Sequence, residues 1–287
     1  MALFGQVFVN GILLGGLYAL MALGLALVWG VLNIVNLAHG AFIMLGAYVA
    51  FYLFTWLHLD PVLALPVSMA VLFGLGYAVQ RGILGLVIRG PLFNTLLITF
   101  GLEVVFTYLA QIAFSADFRT LNPSYAGANV QVAGITLPLV RILAGGIAAA
   151  LTVAVWLMLG YSRLGRAIRA ASQNLTAARL YGVEPRSVYA VTFGLGAGLA
   201  GAAGDLYGMV SQINPYIGAT LTAKCFVISI IGGLDSALGV IVGGAILGIV
   251  EALTSLYIGP TYTDVVSFGI LVVVLIARPS GLLGRTT

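Results

Sequence analysis

Five polar positions stand inside stretches otherwise built from Leu, Ala, Val, Gly and Ile: Asn36, His39, Glu103, Lys224 and Glu251. A charge at the centre of a bilayer costs at least ~2.5–3.5 kcal/mol on insertion scales, so each charged group needs a partner or a task. Glu103 has Thr99 and Thr107 four residues to either side, which puts all three on one helix face. Glu251 has Thr254 and Ser255 nearby, Asp205 closes a glycine run, and Lys224, the only lysine, precedes a short apolar segment. Two kinds of chemistry fit these residues. Either they line a route for a solute, proton or ion, or they are buried between helices and paired, with Lys224 snorkelling towards an interface. Asn36 and His39 lie in the polar break Asn33-Ile-Val-Asn36-Leu-Ala-His39-Gly40, where a capped turn is the alternative to a place on such a route.

Catalytic patterns are missing from the sequence. There is no G-x-x-x-x-G-K-[ST], and the sole lysine precedes Cys225, so the chain has no P-loop for ATP. Neither H-E-x-x-H nor G-x-S-x-G occurs. Two histidines 19 residues apart and a single cysteine offer neither a metal site nor an intramolecular disulfide. A formal G-x-G-x-x-G at Gly196, Gly198 and Gly201 has no strand before it and lies within an apolar run, so it reads as close helix packing. The expectation is a protein that is not an enzyme and binds no cofactor or metal.

The elements that hold these residues follow from composition. Hydrophobic residues make up 61% of the 287 positions, charged residues only 7%, and mean hydropathy is +1.14. Soluble domains carry about 25% charged residues. The chain therefore reads as an all-α integral membrane protein, a polytopic helix bundle. Apolar runs are expected at 6–29, 41–57, 62–80, 93–115, 138–160, 188–212, 240–257 and 264–277. The piece at 219–231 is short and reads as a half-span or one arm of a re-entrant hairpin. The total is eight to ten spans, with the first retained rather than cleaved as a signal peptide. Small-residue pairs Gly11/Gly15, Gly239/Gly243 and Gly244/Gly248 mark helix contacts.

Nine of the 12 basic residues lie at 81, 89, 163–186, 278 and 285, and placing these on the cytoplasmic side leaves the N-terminus outside and the C-terminus inside. Asp60 and Asp117 then fall outside. The arginines follow span ends, without the aromatic interleaving of a nucleic-acid surface. Residues 1–287 form one transmembrane domain, in which 163–186 is a basic cytoplasmic loop suited to docking a partner or, alternatively, to lipid headgroups.

Several patches along the chain carry a resemblance. They are Gly16-Leu-Tyr-Ala-Leu-Met-Ala-Leu-Gly24, Asn36-Leu-Ala-His39-Gly40-Ala-Phe42, and Arg169 to Gly182 leading into the glycine run at 194–204. Later ones are Lys224-Cys-Phe-Val, Gly232-Gly-Leu-Asp-Ser-Ala-Leu-Gly239 and Arg278-Pro-Ser-Gly281-Leu-Leu-Gly284. In this order they resemble the shorter permease subunit of the Liv-type branched-chain amino acid ABC importers. The resemblance implies a multi-pass protein of the cell inner membrane that receives solute from an external binding protein. It implies a second permease chain, related or identical, and two ATPase subunits that carry ATP and Mg²⁺. Thr176-Ala177-Ala178-x3-Gly182 resembles the loose E-A-A-x3-G signature of importer permeases, with Thr in place of the acid. By that likeness Arg169, Asn174, Thr176, Ala177, Ala178, Arg179 and Gly182 form a coupling helix seated on an ATPase. The loop at 117–136 is then a contact for the binding protein. Ion-coupled transport through Glu103 or Glu251, a passive channel, and an ABC permease for urea or short amides are the alternatives.

Overall fold

A computed structural model describes the chain apart from Met1, Arg89, Ala133, Asp235, Pro279 and residues 285–287. The charges at 89 and 285 used for orientation, Asp235 of the glycine turn and Pro279 of the closing motif therefore lie outside the described residues. The helices are α1 (Ala2–Leu32), α2 (His39–Leu57), α3 (Pro61–Val79), α4 (Gly85–Val87), α5 (Leu92–Phe114) and α6 (Leu139–Tyr161). They continue as α7 (Arg163–Gln173), α8 (Leu175–Leu180), α9 (Pro185–Val210), α10 (Ile217–Gly232), α11 (Ala237–Tyr257) and α12 (Thr263–Ala277). A π-helical turn, Gln80–Leu84, joins α3 to α4. Among the described residues eight helical segments are long and apolar enough to cross a membrane, and α10 is a shorter apolar helix. The protein is thus an all-α multi-pass membrane protein.

Each helix boundary has a local cause. α1 stops where Asn33 adopts a left-handed φ of 52°, a conformation that asparagine tolerates better than most residues. α3 starts on the N-cap Asp60, whose carboxylate accepts from the Val62 N–H at 2.9 Å, with Pro61 pre-set for the first turn. Ser162 caps α7 through the Gly165 N–H at 2.9 Å.

Successive spans alternate in direction, which gives the bundle two distinct ends. One end carries an antiparallel hairpin of β1 (Asn129–Val132) and β2 (Ile135–Pro138), in the register Asn129 to Pro138. There Arg119 pairs with Ile213 beyond α9, and the Tyr125 hydroxyl donates to Asp60 at 3.0 Å. Burial, and then this bond to Asp60, raises the Tyr125 phenol above its ordinary pKa. The opposite end carries α7 and α8, which bend as an elbow between α6 and α9. At that elbow end the closing motif folds back on the glycine turn after α10: Leu282 and Leu283 donate to the carbonyls of Ile231 and Gly232 at 2.8 and 3.0 Å. α10 passes from the hairpin end to the elbow end as a short crossing, not as one arm of a re-entrant hairpin. Ile213 before it pairs with Arg119, and its last turn meets the closing motif.

Glycine sets the core. A Cβ on Gly15 would lie 2.7 Å from the Cα of Ala245, and one on Gly11 2.8 Å from the Cα of Ile249. The Gly11/Gly15 pair of α1 therefore meets the Gly244/Gly248 pair of α11 backbone to backbone, as small-xxx-small packing requires. Gly239 and Gly243 play the same part between α11 and α10, facing Gly232 and the Ile228 carbonyl. The glycine run of α9 admits α1 at Gly24–Gly196, α2 at Gly46–Gly201 and α3 at Gly76–Ala197. The run packs helices, and the element before α9 is the short helix α8 rather than a strand.

Candidate functional site

The polar break after α1 is a non-helical segment held inside the bundle. Ile34, Asn36 and Ala38 are buried. Backbone without helical hydrogen bonds is tolerated at membrane depth only where other groups satisfy it. Two threonines do so. The Thr99 hydroxyl of α5 donates to the Val35 carbonyl at 3.0 Å and accepts from the Leu37 N–H at 3.3 Å. The Thr222 hydroxyl of α10 donates to the Leu37 carbonyl at 3.2 Å and accepts from the Gly40 N–H at 2.8 Å. The Asn36 side chain accepts from the Ala38 N–H at 3.2 Å, closing a turn at the start of α2. His39 is fully enclosed and its Nε2 lies 2.8 Å from the Met21 carbonyl of α1, which assigns the proton to Nε2. His39 thus pins the broken segment to α1, while Asn36 holds the turn that leads into α2.

Lys224 and Glu251 come together. The ammonium of Lys224 sits 2.8 Å from Glu251 Oε1 and 3.3 Å from Asp264 Oδ1. The Tyr18 hydroxyl donates to Glu251 Oε2 at 2.6 Å, and Ser267 donates to Oε1 at 3.1 Å. Both carboxylate oxygens of Glu251 are therefore occupied. The cluster ties α1, α10, α11 and α12 together. Asp264 lies in the first turn of α12, where the helix dipole favours a negative charge. Thr254 and Ser255, the neighbours noticed in the sequence, are not among the partners of Glu251. Tyr18, Lys224 and Ser267 are, and helical periodicity within α11 carries no signal for them.

Glu103 is elsewhere. It is half-buried on α5, and among the described residues its one side-chain partner is Thr107, which donates to Oε1 at 3.3 Å. Thr99, expected beside it, is engaged by the broken segment instead. Asp205 of α9 is fully enclosed and accepts from Ser68 of α3 at 3.2 Å.

At the elbow, Asn174 ends α7 and caps α8, accepting from the Ala177 N–H at 2.9 Å. The Val183 N–H bonds the Ala178 carbonyl and the Gly182 N–H bonds the Arg179 carbonyl, at 3.1 and 3.0 Å, which is a Schellman stop. Gly182 has φ 80°, so this turn needs a residue without a Cβ. Ala178 is buried, whereas Thr176 and Arg179 are exposed. Leu180 and Tyr181 are 85% and 89% exposed, a large apolar pair projecting from the polar end of a membrane protein. Nothing in the arginine-rich sequence around them singles them out.

Residues 7–275 match the family described as the permease component of branched-chain amino acid transport systems. The chain belongs to this family. It is 33% identical to the high-affinity branched-chain amino acid transport system permease protein BraD of Pseudomonas aeruginosa, over 98% of this chain and 95% of that one. It is 32% identical to the LivH permease protein of the corresponding system in Escherichia coli K12, over 98% and 96% of the two chains. The LivM permease protein of that bacterium is 28% identical, over 94% of this chain and 68% of its own. No solved structure matches the chain. In the terms of this permease family, the short Lys-Cys-Phe-Val patch contributes the lysine of the four-helix cluster. The glycine turn and the Gly-Leu-Leu-Gly closing patch are two halves of one contact at the elbow end.

Proposed function

We propose that this chain is the pore-forming permease of an ATP-driven importer for branched-chain or other hydrophobic amino acids, loaded by an external solute-binding protein. Family membership across residues 7–275 is the observation that carries this reading. Relatives named as two permease proteins of one system, LivH and LivM, support a second, related permease chain as partner. Two ATPase subunits would supply ATP hydrolysis and hold the nucleotide and Mg²⁺.

In this reading the protein lies in the cell inner membrane with the elbow end in the cytoplasm. Arg81, the arginines of 163–186 and Arg278 are all at that end, in keeping with the positive-inside rule. An odd number of passes, with α10 as the short one, puts the N-terminus outside. The α7–α8 elbow, with Arg169, Asn174, Thr176, Ala177, Ala178, Arg179 and Gly182, is the coupling element. Leu180 and Tyr181 supply its apolar anchor, because aromatic and aliphatic side chains dominate binding hot spots. The capped, rigid α8 passes ATPase closure to α6 and α9.

On the solute side, the broken segment with Asn36 and His39 is the part whose hydrogen bonds can be exchanged as the bundle opens. Glu103 lies where α5 meets a second chain or the path beside it. Lys224 and Glu251 brace the helices around that path. The hairpin end, with residues 117–136, meets the binding protein. Ion coupling through Glu251 is the weaker reading, since both of its oxygens are already engaged.

The test is a pull-down of the tagged chain from native membrane with mass spectrometry of what accompanies it. An ATPase subunit should be recovered, and it should be lost in a Leu180→Asp/Tyr181→Asp variant that still inserts. A chain that comes out alone in both forms would overturn the reading.

A further inference from the structure

α7 repeats every three residues: Gly165, Ile168 and Ala171 are buried, while Arg163, Arg166, Arg169 and Ser172 are exposed. Two of these arginines also cap α6. Arg166 donates to the Tyr161 carbonyl at 3.0 Å and Arg169 to the Gly160 carbonyl at 2.8 Å. This fixes the basic stripe at the polar end of α6. No acidic residue occurs in α7 or α8.

Beneath the stripe lies a cleft of about 510 Å³ between the second half of α1, the last turns of α6, α7, and Leu234 and Ala237 around the start of α11. Its walls are apolar, including Leu23, Leu27, Val31, Trp156 and Leu159, and its polar end is Arg169 with Ser172. Gly30 opens into it, since a Cβ built there would meet nothing within 4 Å. From Leu23 to Val31 the wall runs about 12 Å along α1 at 1.5 Å per residue. That is most of one leaflet of a ~30 Å hydrocarbon core. An apolar cleft at this depth, with its cationic end at the interface, has the shape and the charge order of a lipid.

We propose that this cleft is a site for one anionic phospholipid. An acyl chain lies along α1 between Leu23 and Val31, and the phosphate is held by Arg169 and Ser172. Charge complementarity selects the anionic headgroup, because three arginines share one face of a helix that itself carries no acid. The proposal does not rest on the transport reading. It concerns only the membrane-embedded chain.

The experiment is native mass spectrometry of the purified chain, with whatever accompanies it, after exchange with vesicles of equimolar palmitoyl-oleoyl phosphatidylglycerol and phosphatidylcholine. The wild type should retain one phosphatidylglycerol in clear preference to phosphatidylcholine. Arg169→Gln should lower that preference about fivefold, the share of one basic residue near a membrane surface, while still holding neutral lipid. Gly30→Leu, which fits the open space, should lose both lipids without changing the unfolding temperature. Equal retention of the two lipids by the wild type would overturn the proposal. So would unchanged retention in Gly30→Leu, or cross-linking of a Gly30→Cys variant to another protein chain.

Discussion

α1 and α5 are both apolar and long enough to cross a bilayer, yet they live in different surroundings. α1 is enclosed by α6, α9, α10 and α11, with 78% of its spanning window buried, against 17% for α5 and 6% for α12. α1 is the axis of the bundle, and α5 and α12 are its rim. The acids follow the same division. Glu251 faces Tyr18 of α1 and finds several partners, whereas Glu103 on α5 finds one threonine. A carboxylate on the axis is a brace. A carboxylate on the rim has capacity left for another chain or a passing solute.

The largest effect should come from separating axis helices. Gly15→Leu places a side chain against the backbone of Ala245, and the close α1–α11 contact cannot form. Folded, monodisperse protein should be lost, whereas Gly146→Leu on α6, which meets nothing within 4 Å, should be well tolerated. Size-exclusion profiles of the two variants would collapse the axis–rim distinction if they proved alike.

Next comes Lys224→Met, which leaves Glu251 buried without its cation. Breaking such a pair costs about 3–5 kcal/mol, and replacing both members by apolar residues recovers much of that. Lys224→Met/Glu251→Leu should therefore unfold later than Lys224→Met alone in a thermal melt. A double variant less stable than the single one would show that the ion pair is not what ties these helices.

Thr222→Val is of similar size. It strips partners from the Leu37 carbonyl and the Gly40 N–H, and unsatisfied buried groups cost about 1–3 kcal/mol each. Faster amide exchange at the start of α2 should accompany the loss. Smallest is Glu103→Gln, which can keep the Thr107 bond. Stability should change by less than about 1 kcal/mol, as for a single neutral hydrogen bond. Its effect should appear instead in assembly with a second permease or in uptake. A fall in stability as large as that of Lys224→Met would place Glu103 on the axis after all.

Much of this architecture is legible in the sequence because it is written in local spacing. The apolar runs predict the spans, and the Gly11/Gly15 and Gly244/Gly248 pairs mark surfaces of close helix contact. Asn174 and Gly182 bracket α8 by rules of capping. What spacing cannot show is which faces meet across the bundle. Tyr18, Lys224 and Ser267 converge on Glu251 from three helices, and Thr99 serves the break after α1 rather than Glu103 four residues away. The two strands at 129–138 are short, and their alternation is lost in a polar loop. Leu180 and Tyr181 look like ordinary core residues until Gly182 and the cap of α8 turn them outwards.

The central claim is that this chain forms the passage of an ATP-driven importer. It is tested most directly by reconstituting the purified assembly in liposomes with its ATPase and binding protein and measuring uptake of labelled leucine. The account predicts uptake only when ATP and binding protein are both present, with Gly182→Val hydrolysing ATP but moving little solute. Uptake by the chain alone without ATP, abolished by an ionophore, would contradict it.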